Sequence, residues 1–168
     1  RMAGEALISR GYKRVAFLGG PESATSTQDR ALGFLGALHE HPEIEVSVSY
    51  AQAYSFDAGR VEMTKLLMSD PAEAYFCGDD VLSIGVLSAV QDAGLTVPDD
   101  IGLIGLNDME MAGWDNVRLT TIRQPLDQII EESVLCLEQI LSSEQSKGSK
   151  QKLLPCHIVE RDTLPPVS

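Results

Sequence analysis

The chain has 168 residues, 43% of them hydrophobic and 23% charged, enough apolar material for one α/β domain with a full core. Its 25 acidic and 13 basic residues leave a net charge of −12, a surface that repels phosphate backbones and makes this piece alone a poor holder of nucleic acid. No run of 18 apolar residues is present to span a membrane as a helix, and three cysteines without CxxC spacing (Cys77, Cys136, Cys156) read as reduced, mostly buried thiols of a reducing compartment.

Apolar residues at helical spacing run from Met2 to Ser9 and stop at Gly11, a suitable helix end. Because the chain begins inside that helix it reads as a fragment, and the missing signal peptide carries little weight. Arg14 to Leu18 is a short strand running into Gly19-Gly20-Pro21. A helix opens near Ser26 or Thr27 and carries Ala31, Leu32, Phe34, Leu35 and Leu38. Ile44 to Ala51 alternates apolar with polar, the pattern of a half-exposed strand. Tyr54-Ser55-Phe56-Asp57 leads into a helix reaching about Met68. Ala72 to Cys77 is the next strand, ending at Gly78-Asp79-Asp80, and a helix from Val81 to Ala93 stops at Gly94.

Ile101 to Leu106 is a short apolar run with turn residues at both ends, Pro98-Asp99-Asp100 before it and Asn107-Asp108 after it. That is a strand buried on both faces. Leu119 to Ile122 is rich in β-branched residues and ends at Arg123-Gln124-Pro125, where Pro125 is placed to open a helix. The helix from Leu126 to Leu141 carries one apolar stripe: Leu126, Ile129, Ile130, Val134, Leu137, Ile140 and Leu141. Ser142 to Lys152 is polar and nearly low-complexity and reads as a mobile loop. Leu153 to Val159 is a last strand, and Pro165-Pro166 ends the chain. Strands alternating with helices predict an α/β fold, a doubly wound parallel sheet.

Ligands of open α/β sheets bind at the carboxyl ends of the strands. Taken in turn, those ends deliver Gly19-Gly20-Pro21 with Ser26 and Arg30, then Tyr54, Asp79, Asn107 and Gln124. Arg30 only donates hydrogen bonds, Asp79 only accepts, and Asn107 and Gln124 do both, a mixture suited to a ligand rich in hydroxyls. Tyr54 has a ring to lay against an apolar sugar face. Each hydrogen bond contributes only ~0.5–1.5 kcal/mol net, so several must converge. Plainer readings stand beside these: Asp79 or Asp80 as the cap of the following helix, Asn107-Asp108 as turn residues, and Arg30 as an ordinary surface arginine.

Catalysis finds no support. Gly19-Gly20-Pro21 matches neither GxGxxG nor a P-loop. His39, His41 and His157 have no metal-site spacing, and no GxSxG elbow is present. No cofactor, metal or enzyme activity is expected.

GYKRVAFLGG (Gly11 to Gly20), FCGDDVLSIGVLSAVQDAGLTVPDDIGLIGLND (Phe76 to Asp108) and LTTIRQP (Leu119 to Pro125) closely resemble the effector-binding domain of the lactose repressor family. These are bacterial transcription regulators whose core is similar to that of periplasmic sugar-binding proteins. The resemblance implies two α/β subdomains joined by three crossovers, with the effector in the cleft between them. A helix-turn-helix domain and a hinge helix would precede the core and carry operator DNA binding. On this reading residues 1–122 are the second subdomain. Residues 123–159 are a crossover helix and strand belonging partly to the first, and 160–168 are a C-terminal tail.

The family's effector contacts fall on Ala24, Ser26, Arg30, Tyr54, Asp79, Asn107 and Gln124. Asp79 stands where Asn is common and Asn107 where Asp is common, which leaves the effector's identity open within sugars and sugar acids. The resemblance also implies a homodimer through Ile84, Leu87 and the segment near Trp114, although Ile84 and Leu87 fit ordinary core packing equally well. It implies a cytoplasmic protein that touches no membrane. The alternative is a periplasmic sugar-binding protein of a transport system; LTTIRQP and the unpaired cysteines favour the regulator.

Overall fold

The computed structural model describes residues 1–142 and 151–167. In chain order the elements are α1 (Met2–Ser9), β1 (Arg14–Gly19), α2 (Thr25–Leu38), β2 (Glu45–Tyr50), α3 (Phe56–Leu67) and β3 (Ala74–Cys77). They continue with α4 (Asp80–Asp92), β4 (Gly102–Leu106), a 3-10 turn (Glu110–Gly113), β5 (Thr121–Arg123), α5 (Leu126–Ser142) and β6 (His157–Val159). The strands form one six-stranded sheet in the order β2-β1-β3-β4-β5-β6.

Alternate residues of the central strands feed two cores, because a strand sends successive side chains to opposite faces. Val15, Phe17, Ala74, Phe76 and Ile104 meet Leu7 of α1 and Phe34 and Leu38 of α2. Ala16, Leu18, Tyr75, Cys77 and Leu103 meet Met63 of α3 and Leu82, Val86 and Val90 of α4. With helices on both faces, β1, β3 and β4 read as continuous apolar runs. α3 and α4 touch almost backbone to backbone: a Cβ at Gly85 would lie 2.0 Å from the Phe56 carbonyl oxygen. β2 forms one edge of the sheet and leaves Val46 and Val48 partly exposed.

The expected doubly wound α/β sheet is found, with three corrections. The strand expected at 119–122 is β5 at Thr121–Arg123, because the N–H groups of Leu119 and Thr120 are bonded elsewhere, while the Thr120 carbonyl still accepts from the Gly105 N–H of β4 at 2.9 Å. The Leu119 N–H donates to the Ala112 carbonyl at 2.8 Å, and the Thr120 N–H donates to the Thr163 hydroxyl at 2.8 Å. The strand expected at 153–159 is only β6, and it runs antiparallel, with Arg123 opposite His157. Pro155 has no N–H for a ladder. The 3-10 turn after β4 was not foreseen. The polar loop read at 142–152 lies mostly outside the described residues.

The last residues are more than a trailing end. Thr163 and Leu164 are buried, and the Leu103 N–H donates to the Thr163 carbonyl at 2.8 Å. Arg10 donates to both carboxylate oxygens of Glu160 at 2.7 Å. Residues 160–165 are thereby stitched to α1, β4 and the approach to β5.

α5 behaves differently from every other helix. No residue from 126 to 141 is buried, and Leu126, Ile130, Val134, Leu137, Ile140 and Leu141 all lie open.

Candidate functional site

Two hydrogen-bonded clusters meet at the carboxyl edge of the sheet. In the first, Arg30, one turn into α2, donates from Nη1 to the Gly78 carbonyl at 2.8 Å and to the Tyr54 hydroxyl at 3.1 Å. The Tyr54 hydroxyl also shares a hydrogen with Thr27 at 2.7 Å. Its ring lies against the backbone that follows β1: a Cβ at Gly20 would stand 2.5 Å from it, so a side chain there would push the ring away. The Arg30 guanidinium carbon sits 5.5 Å from the same ring's centre.

The second cluster starts one residue past Gly78. Asp79 caps α4, with Oδ1 accepting the Val81 N–H at 2.7 Å. Its Oδ2 accepts from Asn107 Nδ2 at 2.8 Å, and Asn107 Oδ1 accepts from Gln124 Nε2 at 2.6 Å. The carboxylate fixes the direction of this chain. Asp79 can only accept, so Asn107 turns its amide NH2 toward it and offers its oxygen to Gln124. Left over for a ligand are acceptor capacity on Asp79, a second N–H on Asn107, and the Gln124 carbonyl. An open cavity of about 350 Å³ lies beside Asn107, Gln124 and the start of α5.

Asn107 and Asp108 both have left-handed backbones, with φ of 114° and 54°. Such positions cost roughly 1–3 kcal/mol and persist where surroundings over-determine them. Here the Asn107 N–H is held by the Ile122 carbonyl at 2.9 Å. Asp108 is gripped by Arg161 at 2.6 Å and by Arg123. Burial alone would raise the Asp108 carboxyl, but hydrogen bonds and charge from the two guanidinium groups hold it below the usual carboxylate range.

Asp80 is wholly buried. It accepts the Thr121 hydroxyl at 2.5 Å and the Met109 N–H at 2.7 Å. Burial pushes its carboxyl up to about 6 in spite of those two bonds. The same burial pushes the Cys77 thiol up to about 12, which leaves it a neutral core residue without nucleophilic or metal-binding character. Cys136 and Cys156 are also unpaired. Among the described residues no group of three His, Cys, Asp or Glu is placed to hold a metal, and no helix is long and apolar enough to cross a membrane.

Of the candidate residues, Arg30 with Tyr54 and Asp79 with Asn107 and Gln124 are brought together, joined through the peptide between Gly78 and Asp79. Ser26 stands exposed in the first turn of α2, after Ala24 at its N-cap. Leu87 is buried in the core and Ile84 packs against that core, while Trp114 is 53% exposed. Sequence reasoning missed Thr27, and it saw Asp80 and Asp108 only as cap and turn residues. Thr27 gave no signal beyond its place in the helix that also carries Arg30. Arg161, 53 residues from Asp108, gave none.

Among the described residues, groups able to match hydroxyls gather at one edge of the sheet. The family profile of the periplasmic binding protein-like domain matches residues 5–164, and the chain belongs to that family. It is 33% identical over 148 residues to the probable HTH-type transcriptional repressor ExuR of Bacillus subtilis strain 168, a match covering 87% of this chain and 44% of that protein. It is also 33% identical over 158 residues to the HTH-type transcriptional repressor CytR of Escherichia coli K12, covering 92% and 46%. The lac repressor dimer bound to operator and the anti-inducer ONPF superimposes with a TM-score of 0.87 at 27% identity, covering 96% of this chain and 56% of that one. A LacI family transcriptional regulator from Enterococcus faecium with bound ribose gives 0.81 at 29%, covering 99% and 62%. The resemblance to the lactose repressor family is borne out, and these relatives are repressors, not enzymes. The chain spans about half the length of the curated relatives it matches, 44% of one and 46% of the other.

Proposed function

We propose that this chain is part of the effector-sensing core of a LacI-type transcription regulator, and that its effector is a small polyhydroxylated metabolite, a sugar or sugar acid. The observation that carries this reading is the chain of hydrogen bonds Asp79–Asn107–Gln124, beside Arg30 and Tyr54 on the same sheet edge. Ser26, Arg30, Tyr54, Asp79, Asn107 and Gln124 are the proposed contacts. The bare stripe of α5 supports the proposed division of the chain: 1–122 as one subdomain, and 123–159 as crossover elements whose apolar face packs on another subdomain. The integrated segment 160–165 goes with the first of these.

The complete protein would bind operator DNA through a helix-turn-helix outside this chain and would work in the cytoplasm. It would form a homodimer near Ile84 and Trp114, with Leu87 packed beneath. Sensing would proceed by cleft closure, in which the effector favours one of two arrangements by its differential affinity for them. A transport role would use the same edge, but the repressor relatives favour regulation.

The test is a thermal-shift screen of the complete protein against D-ribose, D-galactose, D-glucuronate and ribose 5-phosphate. At least one class should raise the midpoint in proportion to its concentration. A panel with no stabilising member would overturn the reading.

A further inference from the structure

Asp108 makes no hydrogen bond to Asp79, Asn107 or Gln124, yet the end of β5 that leads out to α5 and the segment that follows β6 both converge on it. Its side chain is 3% exposed, and each carboxylate oxygen takes one guanidinium. Oδ1 accepts from Arg161 Nη2 at 2.6 Å, and Oδ2 accepts from Arg123 Nε. Arg123 ends β5, immediately before Gln124, on the connection leading out to α5. Arg161 lies two residues past β6, on the segment that follows the return to the sheet. Arg161 is pinned in turn: its N–H donates to the Thr120 hydroxyl at 2.9 Å and its Nη1 to the Leu119 carbonyl at 2.7 Å. The residue before Asp108 is Asn107, whose side chain takes the Gln124 amide at 2.6 Å. Both residues have left-handed backbones, so a shift at one has little room to be absorbed before the other.

We propose that Asp108 is a positioning residue for the candidate effector site: by clamping Arg123 and Arg161 it sets where Gln124 meets Asn107, so that the placement of the segment after β6 is felt at the site. The word effector here rests on the function proposed above; the positioning itself does not. An ion-pair cluster that served only stability would leave the Asn107 and Gln124 amides indifferent to Arg161, whose hydrogen bonds go to Thr120, Leu119 and Asp108.

The experiment follows the side-chain amide signals of Asn107 and Gln124 by heteronuclear NMR in the 168-residue chain and in Arg161→Gln, Asp108→Asn and Arg161→Lys. In Arg161→Gln the Gln124 amide protons should exchange with water about tenfold faster, as expected when loss of a charge-assisted hydrogen bond eases local opening. Their signals should also move toward solvent-exposed values. Asp108→Asn should do the same, and Arg161→Lys, which keeps one donor for Oδ1, should recover part of the shift. Unchanged amide signals in a folded Arg161→Gln or Asp108→Asn variant would overturn the proposal. Should both variants fail to fold, the wild-type chain decides: the Arg123 Nε–H and the Gln124 amide should exchange in one cooperative opening, and independent exchange would overturn it. None of these readouts needs a ligand, so a failed sugar screen would leave a positive result standing. Unmoved amides would remove the positioning role even with D-ribose or D-glucuronate bound.

Discussion

α4 and α5 are both rich in aliphatic residues, α4 almost all round and α5 along one stripe, and they meet opposite fates. α4 buries Leu82, Val86, Leu87 and Val90 against α3 and the sheet, and Asp79 caps its first turn. α5 buries nothing between 126 and 141, although seven large aliphatic residues line its stripe. The comparison teaches that an apolar stripe announces a partner surface without saying where that surface is. For α4 the partner is the next helix in the chain, brought into contact by Gly59 and Gly85. For α5 no such surface exists among the described residues, in keeping with a chain about half as long as its curated relatives.

The contrast is open to breakage, most strongly by core truncation. Leu82→Ala empties a fully buried position and should lower the unfolding free energy by about 2–5 kcal/mol. Leu137→Ala, the same chemical change on α5, should move it by no more than about 0.5 kcal/mol. Urea unfolding of both variants checks this pair. A Leu137→Ala loss as large as that of Leu82→Ala would mean that α5 is covered within the chain.

The second prediction sharpens the α4 side through its first residue. The folded Asp80 carboxyl is pushed up to about 6 by burial, above its unfolded value of roughly 4. A folded value raised in this way gives a stabilising contribution that is fully present below the unfolded value and is lost as pH rises through about 6. The total span is as much as about 2–3 kcal/mol. Asp108 has the opposite sign: its value is depressed, so its contribution is present near neutrality and fades as pH falls through its folded value. Unfolding curves of wild type and Asp80→Asn from pH 4 to 8 separate the two. The difference between them should change most between the unfolded value of roughly 4 and the folded value of about 6, and a difference flat with pH would count against the burial argument.

Much of this architecture is legible in the sequence, and the reason is local. β1, β3 and β4 are short apolar runs closed by Gly19, Gly78 and Asn107, and α4 announces its start with Asp79. The edge residues Arg30, Tyr54, Asp79, Asn107 and Gln124 follow from the rule that strand ends face the ligand. What escapes is fixed by contacts remote in sequence. Thr120 keeps only its carbonyl in the ladder because the distant Thr163 hydroxyl takes its N–H. Asp108 reads as a turn residue because Arg161, its partner, lies 53 positions away. The direction of β6 is set by its pairing with β5, Ile122 opposite Ile158, which no local pattern encodes. Asp80 looked interchangeable with Asp79, and only the fold assigns one to the cap and the other to Thr121 and Met109.

At the candidate site the expected effects are smaller. Arg30→Ala and Asp79→Ala in the complete protein should each weaken binding of whichever sugar the screen identifies by roughly 1–3 kcal/mol, since a buried hydroxyl or its partner loses its match. Asp79→Ala should also destabilise α4 by about 1 kcal/mol through loss of its cap. Titration calorimetry beside urea unfolding separates the two losses. Unchanged affinity in both variants would remove these residues from the site.

The smallest effect on stability should accompany a marked effect on association. Ile130 and Val134 stand one turn apart on α5, and both are open. Replacing both with glutamate removes apolar surface from water without unmaking any packed contact, so the unfolding free energy of the chain should stay within about 0.5 kcal/mol of wild type. Exposed apolar patches of this kind find partners, and in the isolated chain the readiest partner is the same stripe on another copy. Wild type should therefore sediment in a concentration-dependent manner, and Ile130→Glu/Val134→Glu as a monomer. The same pair of changes in the complete protein should be strongly destabilising, because there the stripe is proposed to lie against another subdomain. If the wild-type chain sediments as a monomer and α5 is well protected from hydrogen exchange, the stripe is satisfied within the chain, and the division proposed at residue 122 is wrong.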